Sequence, residues 1–269
     1  MNKRIFGVLL MMLSLTVFLS VDVFGEKGAE NVCAECHDEV SMKFSGTVHG
    51  ISSAKCIDCH GNSAKHLDNA EAGNIFSFKN ETAIQKSKQC LTCHKSVVGG
   101  FMGGEHSKAG IDCTTCHGVH KKVNSMAKLN TKLCASCHQD VASEFSLNEK
   151  HRVGEGVLDC TSCHDPHESA TRQRLGGFKQ ESCLKCHRDK GGPFMYEHEA
   201  SKVEGCTVCH DTHGSPNRHM LKHQSVRELC FSCHAVAPDW HTRFIANDTN
   251  CANCHSAIHG SNLDKLFLK

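Results

Sequence analysis

The chain has 269 residues, of which 39% are hydrophobic but only 6% aromatic, and its 30 basic and 29 acidic side chains nearly cancel. That balance excludes the basic footprint of a nucleic-acid binder, and no long run of like charge interrupts it. With one Trp, one Tyr, 20 cysteines and 22 histidines, large apolar side chains are too few to bury the surface of a chain this long, so something other than side chains must supply the core.

Residues 1–25 read as an export signal. Lys3 and Arg4 make a short positive start, Ile5 to Val21 is almost wholly apolar, and Val23-x-Gly25 suits cleavage before Glu26. A retained membrane anchor is the competing reading, although the apolar run is near the short end for a spanning helix. No cysteine lies just after the cleavage site to take a lipid, and no later stretch is apolar enough to span a bilayer. Without Lys3, Arg4 and Asp22 of this leader, 28 basic and 28 acidic side chains remain.

Residues 26–269 read as one domain made of five repeats, spaced 44 to 57 residues apart. The first, near 33–66, has Cys33, Cys36 and His37, then a middle His49, then Cys56, Cys59 and His60, and a trailing His66. The second, near 90–120, repeats the order with Cys90, Cys93, His94, then His106, then Cys113, Cys116, His117, and His120. The third, near 134–167, has Cys134, Cys137, His138, then His151, then Cys160, Cys163, His164, and His167. The fourth, near 183–213, has Cys183, Cys186, His187, then His198, then Cys206, Cys209, His210, and His213. The fifth, near 230–259, has Cys230, Cys233, His234, then His241, then Cys251, Cys254, His255, and His259.

Ten Cys-x-x-Cys-His motifs thus use every cysteine. Two thiols three residues apart on one helical turn can reach two vinyl groups on one haem edge, and the next residue aims an imidazole at the iron. The pattern is that of covalent c-type haem attachment. A disulfide framework explains the cysteines but not the histidine after each pair. Zinc ribbons do not demand that histidine, and thioredoxin-like motifs belong beside βαβ patterns that are absent. With 22 histidines in 269 residues, chance does not place one after all ten pairs.

The remaining histidines suggest the second axial ligands. His49, His106, His151, His198 and His241 follow the first motif's histidine by 7 to 13 residues. His120, His167, His213 and His259 lie three or four residues past the second motif's histidine, while His66 is displaced to six. These ten histidines match ten irons, and imidazole is a common haem ligand. A trailing histidine so close to its motif cannot reach the far side of the same haem, so it must serve a neighbour. Which histidine serves which haem stays open at this point. His219 and His223 are left over and read as surface residues, each also a substitute for a weak member of the set. The methionines after the leader, Met42, Met102, Met126, Met195 and Met220, do not recur in register, which argues against methionine ligation.

The expected fold is therefore mainly α with much irregular structure: an elongated multihaem cytochrome c of five two-haem repeats, with the haems forming the core. Short helices should carry the motifs, with little strand. His60-Gly61, His117-Gly118, Asp165-Pro166 and His213-Gly214 suit turns that end those helices. The longest stretch without a motif is 61–89, whose polar part from Asn69 to Lys88 fits a helix or an external loop. Asn80-Glu81-Thr82 matches a glycosylation sequon and is read as chance. Leu263, Leu266, Phe267 and Leu268 form a tail suited to docking on the last haem or on a partner.

Iron with histidine on both sides has no open position for substrate, so the expected activity is electron transfer rather than catalysis. Close packing of many such centres predicts a broad reduction curve, because charged neighbours resist joint reduction.

The pattern resembles the MtrA/DmsE-type periplasmic decahaem c-type cytochromes over residues 26–269. The likeness rests on the ten motifs and on units such as His106-Ser-Lys-Ala-Gly-Ile-Asp-Cys113-Thr-Thr-Cys-His117-Gly-Val-His120 and Gly205-Cys206 through His210-Asp-Thr-His213-Gly214. The resemblance implies ten haems c in a bis-histidine chain, a periplasmic location, and exchange of electrons between periplasmic donors, such as other cytochromes or quinol-linked enzymes, and the outer membrane. It also implies an outer-membrane β-barrel porin as a partner in extracellular respiration. A soluble periplasmic shuttle to a terminal reductase is the alternative, and a multihaem reductase a further one.

Overall fold

The computed structural model describes residues 28–120, 131–167, 180–241 and 249–268. The expected leader at 1–25 lies outside them, as does Met126.

The motifs dictate the local structure. In nine of the ten, the histidine N–H donates to the carbonyl of the first cysteine at 2.9–3.1 Å, and the tenth, His60, ends the helix Cys56–His60. One α-turn therefore puts the first cysteine, the second cysteine and the histidine on one side. Each first motif is entered by a helix from upstream: Gly28–Cys36, Ala83–Leu91, Thr131–Ala135, Glu181–Leu184 and Val226–Phe231. Each second motif instead opens a turn of its own. Cys56–His60 and Cys113–Cys116 are α-helical, and Cys160–Ser162, Cys206–Val208 and Cys251–Asn253 are 3-10.

The residue just before each second motif explains that start. Asp112, Asp159 and Asn250 accept hydrogen bonds from the backbone of Thr114, Ser162 and Ala252, satisfying amides that a helix start leaves bare. Lys55 has no such side-chain oxygen, and its own amide donates to Asp58 at 2.8 Å instead. In the fourth repeat Gly205 takes this place with φ +87. Ser225 and Thr82 cap two of the upstream helices, and Thr82 forms a capping box with Gln85. That gives Thr82 a folding role in the Asn80-Glu81-Thr82 stretch.

The described α-helices are four to nine residues long, too short to persist alone in water. Among the described residues, strand is confined to four pieces of two residues: β1 Glu149–Lys150, β2 Tyr196–Glu197, β3 Gly214–Ser215 and β4 Gly260–Ser261. β1 pairs antiparallel with β3 (Glu149 opposite Ser215), and β2 with β4 (Tyr196 opposite Ser261). Each ladder thus joins the segment before a middle histidine to the segment after the trailing histidine of the next repeat. Gly214 does not end a helix, as its place after His213 suggests, but lies buried in β3. A side chain there would meet the Glu144 carbonyl oxygen at 2.0 Å.

Among the described residues, the only buried hydrophobic ones are Phe101 and Val153, while Met42, Ile51, Val157, Val236 and Leu263 are exposed. Polypeptide alone does not make a core here. The closest approach to a buried ion pair is Lys86 Nζ with Asp112 Oδ2 at 3.4 Å, which ties Ala83–Leu91 to Cys113–Cys116. Burial would raise the Asp112 carboxyl, but hydrogen bonds from Thr114 and the nearby Lys86 ammonium outweigh it and hold it below the usual range.

The stretch 61–89 is partly helical, as its composition allows, and is not a free loop. It folds back so that Phe76 and Phe78 pack edge-on, ring centres 5.0 Å apart, with Phe78 against His60 at 5.5 Å. The tail also docks inward: Phe267 accepts a hydrogen bond from Ala257 and sets its ring 5.6 Å from that of His198. No helix among the described residues is long and apolar enough to cross a membrane.

Candidate functional site

None of the twenty motif cysteines is in a disulfide. They approach one another in a fixed order instead. Within a repeat, the first cysteines of the two motifs are close neighbours: Cys90 with Cys113, Cys134 with Cys160, Cys183 with Cys206, and Cys230 with Cys251. Between repeats, the second cysteines become neighbours: Cys59 with Cys93, Cys116 with Cys137, Cys163 with Cys186, and Cys209 with Cys233. Burial, followed by the neighbouring thiol, pushes Cys90 up to about 12 and Cys183 and Cys230 up to about 11. From the second motif to the tenth, motifs adjacent in sequence are therefore adjacent in space.

The histidines follow a second rule. Each motif histidine faces one of the ten in-register histidines, with ring centres 5.8 to 6.3 Å apart. The middle histidine of one repeat meets the first motif of the next. This gives His49 with His94, His106 with His138, His151 with His187, and His198 with His234. The trailing histidine reaches the second motif of the repeat before: His120 with His60, His167 with His117, His213 with His164, and His259 with His210. Two positions have no such neighbour and close on their own repeat, His66 with His37 and His241 with His255.

This explains the two irregular spacings. His66 sits six residues past its motif rather than three because it must turn back to the first motif of its own repeat, carried there by the helix Ala64–Asp68. His241 follows its motif histidine by only seven residues because it turns forward to the second motif of its own repeat.

Ring orientation is set by partners on the nitrogen facing away. Backbone carbonyls face Nδ1 of His60 (Phe76, 2.9 Å), His66 (Glu71, 3.0 Å) and His106 (Pro166, 3.2 Å). They likewise face Nδ1 of His151 (Thr212, 2.7 Å), His210 (His219, 2.8 Å) and His255 (Leu266, 2.6 Å). Nδ1–H donates to these oxygens and Nε2 is left as the free lone pair, the tautomer suited to metal binding. These second partners lie 5 to 61 residues away along the chain, and spacing does not reveal them. His219 contributes through its main chain, a role its side chain does not announce. Burial lowers His117, His120, His164, His198 and His259, and the facing imidazole adds to it in each. A neutral ring is the form a metal requires.

The residues fit a haem. Two imidazoles bound to opposite sides of one metal through bonds of about 2.0 Å place their ring centres roughly 6 Å apart. That is the gap found in all ten pairs, each with two cysteines on the turn below one member. Zinc knuckles need four donors around one point, and among the described residues no cluster of three or more His, Cys, Asp or Glu has that form.

Known proteins agree with this chemistry. Residues 198–238 match the family model described as doubled CXXCH motif, residues 105–188 that of cytochrome c3, and residues 56–137 that of the NrfB-like cytochrome c-type protein. The multiheme cytochrome MtrA of Shewanella baltica (strain OS185) is 31% identical over 272 residues, covering 89% of this chain and 80% of that one.

Proposed function

This chain belongs to the MtrA family of multihaem c-type cytochromes, electron-transfer proteins with covalently bound haem c, and we propose that it holds ten such haems and passes electrons along them in sequence order. The observation that carries this reading is the set of ten facing histidine pairs, in which every motif histidine has one partner and none is used twice. Each motif's two cysteines would hold a haem through thioether bonds, and its histidine would ligate the iron. The ten in-register histidines would be the second ligands, in the pairing given above. When bound, the group supplies one-electron iron chemistry. The protein's part would be to supply two histidines for each iron, to orient the rings that have an Nδ1 partner so that Nε2 is free to bind, and to keep successive sites close through the neighbouring cysteines.

Two histidines for each iron would leave no position for substrate, which favours electron transfer over catalysis. The family relation and the export-type leader support a periplasmic location and a role as the inner part of an outer-membrane porin–cytochrome conduit. A soluble shuttle to a terminal reductase shares the same haem chemistry and differs only in partner. Purification from the native host separates the two. Co-purification with an outer-membrane β-barrel supports the conduit, and a free soluble monomer in the periplasmic fraction overturns it.

A further inference from the structure

The strongest departure from the repeat pattern lies at His213. The six ring nitrogens described above face backbone carbonyls, whereas His213 Nδ1 faces a carboxylate oxygen, Glu144 Oε2, at 3.0 Å. His167 has the carboxylate of Asp165 at 3.5 Å, beyond good hydrogen-bond reach.

The Glu144 contact is built by the fold. Glu144 ends the helix Gln139–Glu144, 69 residues from His213 in sequence. The next residue, Phe145, sets its ring 5.4 Å from that of His213. The main chain of Glu144 comes so close to Gly214 that only glycine fits there. The β1–β3 ladder then locks the two segments, with Lys150 opposite Gly214. In β1, Glu149 Oε2 accepts from the His219 amide at 3.0 Å. The segment 144–150 of repeat three thus grips the trailing histidine of repeat four.

A carboxylate accepting Nδ1–H draws the proton away from the ring more than a neutral carbonyl does, and so makes Nε2 a stronger donor. A stronger donor stabilises ferric over ferrous iron. We propose that Glu144 is a positioning residue that sets the haem of Cys160, Cys163, His164 and His213 at a lower potential than haems whose ligands face carbonyls. That haem is sixth of ten in sequence order, so a low-potential station would stand near the middle of the wire and divide it into two more easily reduced stretches. This inference rests on the ten-haem reading above.

The test uses the full haem-loaded chain with Glu144→Gln, and Asp140→Asn as a control that removes a charge from the same helix. Reduction is followed optically and by electron paramagnetic resonance across the potential range, with haem content from intact mass. Glu144→Gln is expected to move about one tenth of the titration, from its lowest-potential end, upward while haem content and low-spin state stay unchanged. Asp140→Asn should leave the curve in place. Superimposable curves for Glu144→Gln and the parent, an equal shift in Asp140→Asn, or a haem made high-spin by Glu144→Gln would each overturn the proposal. Failure of the ten-haem reading would show separately, as fewer than ten haems or high-spin iron in the parent.

Discussion

At the scale of single residues, His66 is the sharpest case. Its displaced spacing makes it the weakest candidate by pattern, with His219 or His223 as possible replacements. In the structure its ring stacks on that of His37, interplanar angle 14°, with its Nδ1 on the Glu71 carbonyl. If it is the far ligand of the first haem, His66→Ala converts one haem in ten to a high-spin form that binds cyanide, whereas His223→Ala leaves every haem low-spin. Optical spectra of the oxidised variants, with and without cyanide, check this. An unchanged spectrum for His66→Ala would assign the ligand elsewhere. The identity of the motif residues is legible in sequence because covalent attachment fixes their spacing within one helical turn. Glu144, Phe76 and the carbonyls of Pro166 and Thr212 are not, because nothing local marks a group that acts on a ring 16 to 69 residues away.

At the scale of elements, the histidine contacts fall into parallel and steep geometries, and the middle His198 joins the parallel ones at 14°. Trailing histidines lie near parallel to their partners, at 16°, 13° and 14° for His120, His167 and His259, with His213 at 39°. Three middle histidines stand steeply across theirs, at 89°, 73° and 60° for His49, His106 and His151. Parallel imidazole planes split two iron orbitals of equal energy, and perpendicular planes leave them nearly equal. The oxidised protein should therefore show rhombic low-spin paramagnetic resonance signals together with a minority of highly anisotropic ones. Only rhombic signals would contradict the steep pairs. Short helices around each motif follow from the motif spacing and the Asp112, Asp159 and Asn250 caps. The two-residue strands do not, since a ladder of two positions leaves no alternation to read.

At the scale of the whole molecule, the facing histidine pairs double as the architecture. Eight of the ten pairs join one repeat to the next, and two close the ends. With almost no buried apolar side chains among the described residues, such links, once made through iron, would do what a hydrophobic core does elsewhere. The five-fold repeat announces this order only in part. It shows that a trailing histidine must serve a neighbour, but whether the neighbour lies ahead or behind depends on how repeats meet in space. The central claim is that ten haems fill ten closed, bis-histidine sites in one chain. Quantitative paramagnetic resonance of the oxidised protein, scaled to haem content from intact mass, tests it most directly. The predicted result is ten low-spin haems per chain with no high-spin iron. A count below ten, or a high-spin fraction approaching one haem in ten, would contradict it.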